Sequence, residues 1–441
     1  MKFWKYGRVA LALIGSIFLG LSITCCGIYT SGYMYVTGAE YNQIAGYKID
    51  HDFGYLTPIT GSPFPANGND PVQEMVLPGG RFLAVVNKGS SSVSMYTIGG
   101  SGVLYFQANY STSGTNPVSI AMDASGRYMY IADQTAPANF VNGIDQNAGR
   151  GDLTVFQVDS NTGKLTLVTN ENTFNTNGTQ LPYFSVNYKP VQIVVAGGYV
   201  YVLDQAYNVV SGGAAANSGI PAACLTASNV QACRTPDVFL YQINESTGQL
   251  VLTQNQPLTT GALPGSLSTM SIAAGGKYLY IADTGGPPTS NQTPPPSYIL
   301  PFTIGSGGVL QTLVGGPVPN NATSVNPDAI LASSNANFLY VANFGPASVN
   351  TQSSNIYGLT IDPSNGQLQP IPQGLYPTGA GPIWLVEEST NQYIYSANFY
   401  DNTVTGYVIN SSTGQLSTMF KGTTFPTVGQ PTFMAVSGRV Y

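Results

Sequence analysis

The clearest pattern in the chain is a short stretch in which apolar and aromatic side chains alternate behind a tight turn. In Gly126–Asp133 it reads GRYMYIAD, with an acid at the end. Six similar stretches occur at residues 32–38, 80–87, 198–204, 276–283, 337–343 and 392–398. Period-two alternation of aromatic, aliphatic and β-branched residues is typical of β-strands. The chain therefore contains seven copies of one predicted strand.

Each copy belongs to a longer repeat of four predicted strands. In the third repeat these strands are Pro117–Met122, Tyr128–Ala132, Leu153–Val158 and Lys164–Val168. From Tyr35 to Tyr395 the centres of the second strands are on average 60 residues apart. Regular spacing of four-stranded units is the signature of a radially repeated all-β protein.

The two ends of the chain complement each other. The first repeat starts at its second strand, Tyr33–Thr37, and the chain ends with an unpaired first strand, Pro431–Val436. The last strand can complete the first blade and close the ring, which removes an exposed sheet edge. We predict an all-β, seven-bladed β-propeller of four-stranded antiparallel blades, in one domain over residues 32–441.

The predicted loops differ between the two faces. Loops between first and second strands and between third and fourth strands are short. Long loops join second to third strands, at residues 134–151, 205–236, 284–297 and 344–354. Connections between blades are also long, and both long classes emerge on one face of an antiparallel blade. We expect function on this long-loop face, because binding residues concentrate on loops over a rigid scaffold.

Polar residues end the second strands on the long-loop face. They are Asn87, Asp133, Asp204, Asp283, Asn343 and Asn398. Asp and Asn can end a strand by bonding the next backbone amides. Alternatively, some line the mouth of the central channel, together with Asn116, Lys189, Asn326 and Gln430. Lys189 would then either hold an anionic or carbonyl oxygen or balance the acids, and we favour charge balance.

The N-terminus has the pattern of an export signal. Met1–Arg8 is basic and Val9–Ile23 is apolar, about the length of a secretory hydrophobic region. The following ITCCG resembles a bacterial lipoprotein cleavage site with Cys26 as the lipidated residue. Residues 1–26 are therefore predicted to be a signal peptide, and the protein to be exported and lipid-anchored at the cell envelope. The alternative is a simply cleaved signal and a periplasmic or secreted protein.

The other two cysteines, Cys224 and Cys233, lie in one long insertion. In an oxidising compartment we expect them to form a disulfide, since two thiols without a nearby histidine do not complete a zinc shell. Without its leader the chain's formal net charge changes from −6 to −9, which disfavours nucleic-acid binding. No cofactor or metal site is predicted, and we expect a monomer whose membrane contact is the lipid anchor.

The Tyr-Val-Ala-Asn-like second strands, the proline that opens many inner strands and the Asx-Ser-Thr-Gly-Gln-Leu turns together resemble one family. This is the lactonase-type seven-bladed propeller family, the 6-phosphogluconolactonase-like group close to YVTN-repeat surface proteins. The resemblance spans residues 32–441 and implies a site of His, Glu and Arg at the channel mouth. The single histidine, His51, falls in a turn between third and fourth strands, on the opposite face. None of the family's catalytic positions is matched.

Three functions remain open. The first is binding of a ligand or a protein partner on the long-loop face without catalysis. The second is a lactone hydrolase with a histidine-free site, in which Asp133 or Asp204 is the base and Lys189 or Arg234 polarises the carbonyl. The third is a structural cell-surface role, suggested by low charge and many tyrosines.

Overall fold

A computed structural model describes residues 29–141, 144–207, 233, 235–253, 258–263, 265–273, 275–286, 296–321, 324–345 and 354–438. The predicted signal peptide, Cys26, Cys224 and Arg234 lie outside these residues, so the signal peptide, the lipidation and the disulfide stay predictions. Cys233 is fully buried. Within the described segments, no helix is long and apolar enough to cross a membrane.

The described chain forms strands that we number in chain order. Blades 1 and 2 contain β1 (Thr30–Gly38), β2 (Gln43–Asp50), β3 (Leu56–Pro58), β4 (Phe64–Pro65), β5 (Pro71–Val76), β6 (Phe82–Asn87), β7 (Ser92–Ile98) and β8 (Leu104–Ser111). Blade 3 and its loops contain β9 (Thr115–Met122), β10 (Tyr128–Thr135), β11 (Phe140–Val141), β12 (Ile144–Asp145), β13 (Arg150–Val158), β14 (Leu165–Leu167), β15 (Asn170–Phe174), β16 (Gln180–Leu181) and β17 (Phe184–Tyr188).

The remaining strands build blades 4 to 7. Blades 4 and 5 contain β18 (Pro190–Ala196), β19 (Tyr199–Asp204), β20 (Asp237–Ile243), β21 (Leu250–Leu252), β22 (Leu258–Thr259), β23 (Leu267–Ile272), β24 (Tyr278–Asp283), β25 (Tyr298–Ile304), a 3-10 helix (Ser306–Gly308), β26 (Leu310–Thr312) and β27 (Val318–Pro319). Blades 6 and 7 contain β28 (Pro327–Ala332), β29 (Phe338–Asn343), β30 (Asn355–Ile361), β31 (Leu368–Pro377), β32 (Pro382–Glu387), β33 (Tyr393–Asn398), β34 (Thr403–Ile409), β35 (Leu416–Thr418) and β36 (Thr424–Pro426), and β37 (Pro431–Gly438) ends the fold.

The blades are antiparallel sheets that follow chain order from the axis outward. Blade 1 is the exception, since its order from the axis is β37, β1, β2, β3. Strands β1 and β37 pair over their length, with Tyr35 opposite Ala435. The first strands of neighbouring blades touch one another around the whole ring, from β37 through β5, β9, β18, β23, β28 and β32 back to β37. The predicted seven-bladed fold and its closure by the C-terminal strand are confirmed.

The long loops are confined to part of the long-loop face. Four consecutive blades, 3 to 6, carry the long connections between second and third strands. In blades 1, 2 and 7 the same connection is a four-residue turn, at residues 39–42, 88–91 and 399–402. The long-loop face is therefore elaborated on one side of the ring.

The hydrophobic core consists of layers between blades. Seven clusters of buried side chains each join two neighbouring blades, one cluster per interface. The central tyrosines of the second strands are completely buried in these layers: Tyr35, Tyr130, Tyr201, Tyr280, Tyr340 and Tyr395. A repeat cannot bury these faces alone, so each blade depends on its neighbours.

A tyrosine–glycine contact joins each of several blades to the next. The Tyr280 hydroxyl in blade 5 donates a hydrogen bond to the Gly366 carbonyl oxygen in blade 6, at 2.8 Å. Equivalent bonds join Tyr35 to Gly102, Tyr201 to Gly308, Tyr340 to Gly414 and Tyr395 to Gly54. The last of these crosses the closure of the ring.

An aromatic ring of the neighbouring blade packs against each of the same glycines, on the side where other residues carry a Cβ atom. Tyr278 lies two residues before Tyr280 and packs on Gly366, where an added Cβ would approach Tyr278 Cδ1 to 2.5 Å. Gly366 also has φ +74°, a conformation that costs L-residues about 1–2 kcal/mol. Glycine is thus required for two reasons: the turn needs a positive φ, and the Tyr278 ring leaves no space for a Cβ atom. This explains the recurrent Asx-x-x-x-Gly turns of the sequence.

Replacing Gly366 by alanine should therefore destabilise the fold more than an ordinary glycine replacement. Gly276 is the matched control, because its φ is +67° and no atom lies within 4 Å of an added Cβ. We expect Gly276→Ala to lower the free energy of unfolding by about 1 kcal/mol and Gly366→Ala by about 3 kcal/mol. Urea unfolding followed by tyrosine fluorescence measures both. Equal losses would show that the ring contact contributes nothing.

Candidate functional site

The mouth of the central channel on the long-loop face is built by one repeated turn. One residue at or shortly before the start of each inner strand has left-handed backbone: Asp70, Asn116, Lys189, Gly265, Asn326, Gly381 and Gln430. In several blades its carbonyl oxygen accepts a hydrogen bond from the backbone amide that follows the second strand. The Gln205 amide, for example, donates to Lys189 at 3.0 Å, and the Ala39 amide donates to Gln430 at 3.0 Å. The ring of mouth residues is thus held by backbone geometry.

Below this mouth lies a cavity of about 120 Å³ on the propeller axis. All seven inner strands contribute to its wall, with Val72, Gln73, Val118, Ser119, Val191, Gln192, Ser268, Thr269, Asp328, Trp384, Thr432 and Phe433. Each inner strand is irregular just after it begins, as where Pro327 pairs with Asn343 and Ala329 pairs with Ala342. Such a bulge leaves an extra residue that re-aims side chains. The bulges therefore direct successive side chains toward the axis.

The polar strand ends that we considered for the mouth lie inside the blades instead. Asn87, Asp133, Asp204, Asp283, Asn343 and Asn398 are all buried. Asn398 Nδ2 donates to the Thr403 and Thr405 hydroxyls at 3.0 and 2.8 Å, within its own blade. Asn87 Nδ2 donates in the same way to the Ser94 hydroxyl at 2.8 Å. None of these residues lines the axial cavity. The arrangement agrees with the interpretation that they end strands. The Gly285 amide donates to Asp283 Oδ1 at 2.9 Å, as that interpretation expects, whereas Asn87 and Asn398 bond the third strand of their own blade.

In blades 3 and 4 the strand-end acids meet a second acid. Asp133 is directly opposite Asp152, and Asp204 is opposite Asp237. The Thr154 hydroxyl donates to Asp133 Oδ2 at 2.8 Å, whereas both Asp152 oxygens are buried without a hydrogen-bond partner among the described residues. Two carboxyl groups at such a site cannot both ionise readily.

The pKa values of these four acids are raised. Burial is the main cause at every one, and it raises the pKa of Asp133 to about 7 and that of Asp237 to about 6. Burial and the Asp133 carboxylate raise the pKa of Asp152 well above its usual range, and burial and Asp237 do the same for Asp204. Asp133 and Asp204 were our candidate catalytic bases. Their basicity fits that role, but their positions inside the blades keep them from a ligand at the mouth.

Lys189 does lie at the mouth and is partly buried. Its Nζ is 5.9 Å from the centroid of the Tyr207 ring. Burial lowers its pKa, and the charge of nearby Lys88 lowers it further. The charged neighbour that changes the pKa of Lys189 is thus another cation. Our preferred interpretation, that Lys189 balances the ring of acids, finds no support in these contacts.

The opposite side of the mouth is aromatic. Phe344 follows the second strand of blade 6, and Phe399 and Tyr400 follow that of blade 7. The Phe344 ring centroid lies 5.2 Å from that of Tyr400 and 6.5 Å from that of Phe399. The mouth therefore has a cationic side at blades 2 to 4 and an aromatic side at blades 6 and 7.

His51 lies where its position in the repeat predicts. It occupies the turn between β2 and β3, away from the mouth, and its backbone amide donates to the Tyr29 carbonyl oxygen at 2.7 Å. Arg234 and Cys224 are not among the described residues. Within the described segments, no group of three or more His, Cys, Asp or Glu side chains is placed to hold a metal ion.

Several residues of the site were not predicted from the sequence. Asp152 and Asp237 could have been found, because the last residue of one antiparallel strand must face the first residue of the next. Asp328 and Trp384 could not, because an inner-strand bulge leaves no mark in the alternation of side chains. Phe344 and Phe399 looked like ordinary loop residues next to strand ends.

Blade 6 suggests how an acid pair can be relieved. There the equivalent residues are Asn343 and Asn355, and Asn343 Nδ2 donates to Asn355 Oδ1 at 3.0 Å. Asp152→Asn should give blade 3 a similar bond to Asp133. We expect this variant to raise the free energy of unfolding at pH 8 by about 2 kcal/mol.

The sign follows from the raised pKa values. A buried acid with a raised pKa keeps its proton in the folded state, so its favourable contribution is present at low pH and is lost as pH rises through about 7 for Asp133. Asp152→Asn should therefore weaken the decline in stability between pH 5 and pH 8. Urea midpoints at both pH values measure this, with exposed Asp52→Asn as control. A loss of stability at pH 8 in Asp152→Asn would contradict the shared-proton interpretation.

Comparison with known proteins agrees with this architecture. The family model described as lactonase, 7-bladed beta-propeller, matches residues 29–171 and 309–436, and a model of the LVIVD repeat matches residues 267–286. No curated protein matches the chain in sequence.

Solved structures show the same fold. A Lactobacillus plantarum protein has a TM-score of 0.63 at 16% identity, over 93% of this chain and 100% of that chain. A candidate 6-phosphogluconolactonase of Bacteroides fragilis has a TM-score of 0.62 at 15% identity, over 92% and 98%. The periplasmic gluconolactonase of Pseudomonas aeruginosa has a TM-score of 0.61 at 16% identity, over 92% and 99%. Since the family model covers more than half of its residues, the chain belongs to the lactonase family of seven-bladed β-propellers.

Proposed function

We propose that the protein is an exported lactonase-family propeller that binds a small anionic molecule of the sugar-acid class at its channel mouth, without catalysis. The observation that carries the proposal is the position of Lys189 at the mouth, near enough to Lys88 for that charge to lower its pKa further. Export is supported by the basic and apolar leader, and the sugar-acid class by neighbours named as gluconolactonases.

The two lysines make a favourable site for an anion. Partial burial is the main cause of the lowered pKa of Lys189, and repulsion by the like charge of Lys88 adds to it. An anion placed between the two amines would relieve the repulsion and supply the charge partner that a partly desolvated cation needs. Near them, exposed Asn116 offers further hydrogen-bonding groups.

The rest of the mouth suits a molecule with one polar and one less polar side. Phe344, Phe399 and Tyr400 form the opposite wall, and Tyr400 is 40% exposed. Sugar rings present C–H faces that pack on aromatic rings while their carboxylates seek cations. A carboxylated sugar therefore matches both sides of the mouth better than a flat apolar ligand would.

Binding of 6-phosphogluconate and gluconate should depend on the two lysines. We expect Lys189→Met and Lys88→Met each to raise the Kd about tenfold, which corresponds to about 1.4 kcal/mol. Lys277→Met is the matched control, since Lys277 is an exposed lysine in the turn between β23 and β24 on the opposite face. Isothermal titration calorimetry, with neutral glucose as control ligand, measures all four proteins. Equal affinity in Lys189→Met and the unsubstituted protein would reject this site.

Lactone hydrolysis is the second candidate function, and the lowered pKa of Lys189 favours it. A lowered pKa makes an amine easier to deprotonate, and a deprotonated amine can act as a general base or nucleophile. Asp133 and Asp204 cannot take that role from inside the blades. A histidine-free hydrolase would therefore depend on Lys189 as its catalytic residue.

The hydrolase candidate predicts turnover that Lys189→Met abolishes and Asp204→Asn preserves. Release of acid from glucono-δ-lactone and aliphatic lactones, followed by pH-stat titration, measures this. No turnover above the Lys189→Met background would leave the binding function. Neither turnover nor sugar-acid binding would favour the structural cell-surface role.

A further inference from the structure

We propose that the axial cavity is a second binding site, selective for a small organic monovalent cation of the ammonium or alkylammonium class, with the Asp328 carboxylate as its counter-charge. The cavity lies beneath the mouth and is walled by the bulged starts of the inner strands. The site differs in charge and in residues from the anion site at Lys88 and Lys189.

Asp328 occupies a position that other blades fill with uncharged residues. The bulge leaves one extra residue between the paired positions of each inner strand. The equivalent residues are Val72, Val118, Val191, Ile383 and Thr432. Five blades therefore build the same bulge without an acid. The carboxylate is not needed to form the strand.

The surroundings leave the carboxylate without a partner. Asp328 is half-buried and lies in the wall of the cavity. Burial raises its pKa to about 6, and no hydrogen bond from the described residues offsets that effect. The other eleven residues of the wall carry no ionisable group. At neutral pH the cavity thus holds one uncompensated negative charge, which a single positive charge would neutralise.

The wall suits an organic cation better than a divalent metal ion. Trp384 lines the cavity and stacks on Phe433 with ring centroids 3.9 Å apart. Indole rings attract cations through their π faces, whereas Ca²⁺ takes six to eight oxygen ligands and usually several carboxylates. Ser268 and Thr432, which are only half-buried, add hydroxyl oxygens that can accept N–H hydrogen bonds. The cavity, about 120 Å³, has room for an ammonium or methylammonium ion and a few waters.

The chain contains a built-in reporter of this site. Its two tryptophans are Trp4, in the leader, and Trp384, in the cavity wall. The full chain carrying Trp4→Phe therefore has one tryptophan, at the proposed site. Titration with methylammonium chloride, against matched sodium chloride, should change its fluorescence saturably and raise the Tm.

Two variants separate this site from its surroundings. Asp328→Asn in the same background should weaken methylammonium binding at least tenfold. Asp52→Asn removes an exposed acid from the turn between β2 and β3, away from the mouth, and should leave binding unchanged. Affinity for methylammonium should also fall below pH 6 as Asp328 takes up a proton.

The proposal is overturned if Asp328→Asn binds methylammonium as the parent does. It is also overturned if the parent shows neither a saturable fluorescence change nor a rise in Tm. Tighter binding of calcium than of methylammonium would reject the organic monovalent class. Because Asp328→Asn is isosteric and removes a buried charge, a folded variant is expected, and circular dichroism confirms that each protein compared is folded.

Discussion

The contact on which the rest of the structure depends is the packing of an aromatic ring on a glycine of the next blade. Tyr278 covers Gly366 while Tyr280 bonds its carbonyl oxygen at 2.8 Å, and other interfaces repeat the pair. The contact sets how closely two blades approach on the face of the short turns. It also explains why aromatic-x-Tyr and Asx-x-x-x-Gly recur together along the sequence.

This contact makes the two faces unequal. The glycine turns between third and fourth strands are packed against the neighbouring blade, so an insertion there would separate two blades. The connections between second and third strands lie on the other face, and in blades 3 to 6 they are long. Variation therefore accumulates on the long-loop face. The binding site that we propose at the mouth therefore lies on the face that the contacts between blades leave free to vary.

The sequence predicts the fold well because local features that recur in every repeat determine the fold. The alternation in Gly126–Asp133 recurs at every blade, and the missing first strand of blade 1 is supplied by residues 431–438. The position of His51 in a turn away from the mouth also follows from the repeat. These inferences need only the period of the strands and the count of the repeats.

The site was harder to predict because it depends on the direction of single side chains. Asp133 and Asp204 looked like mouth residues. A shift of one residue along a strand, however, moves a side chain to the other face of the sheet and so changes its surroundings. Pairing places Asp152 and Asp237 opposite them, and the result is two buried acid pairs. Strand boundaries inferred from alternation are uncertain by more than one residue, so this distinction was out of reach.

Asp328 shows the same limit more clearly. In a regular strand, side chains alternate between faces, and Asp328 would be placed by counting from Pro327. The bulge interrupts this alternation directly after Pro327. Only the residues of β29 that pair with β28 show where the bulge lies. Five other blades place valine, isoleucine or threonine at the equivalent position. A carboxylate is energetically less favourable there than any of these side chains. It loses hydration, and no hydrogen bond from the described residues offsets that loss. A fold that accepts uncharged residues at this point gains no stability from the acid, and for this reason we propose that the acid is the counter-charge of a bound cation.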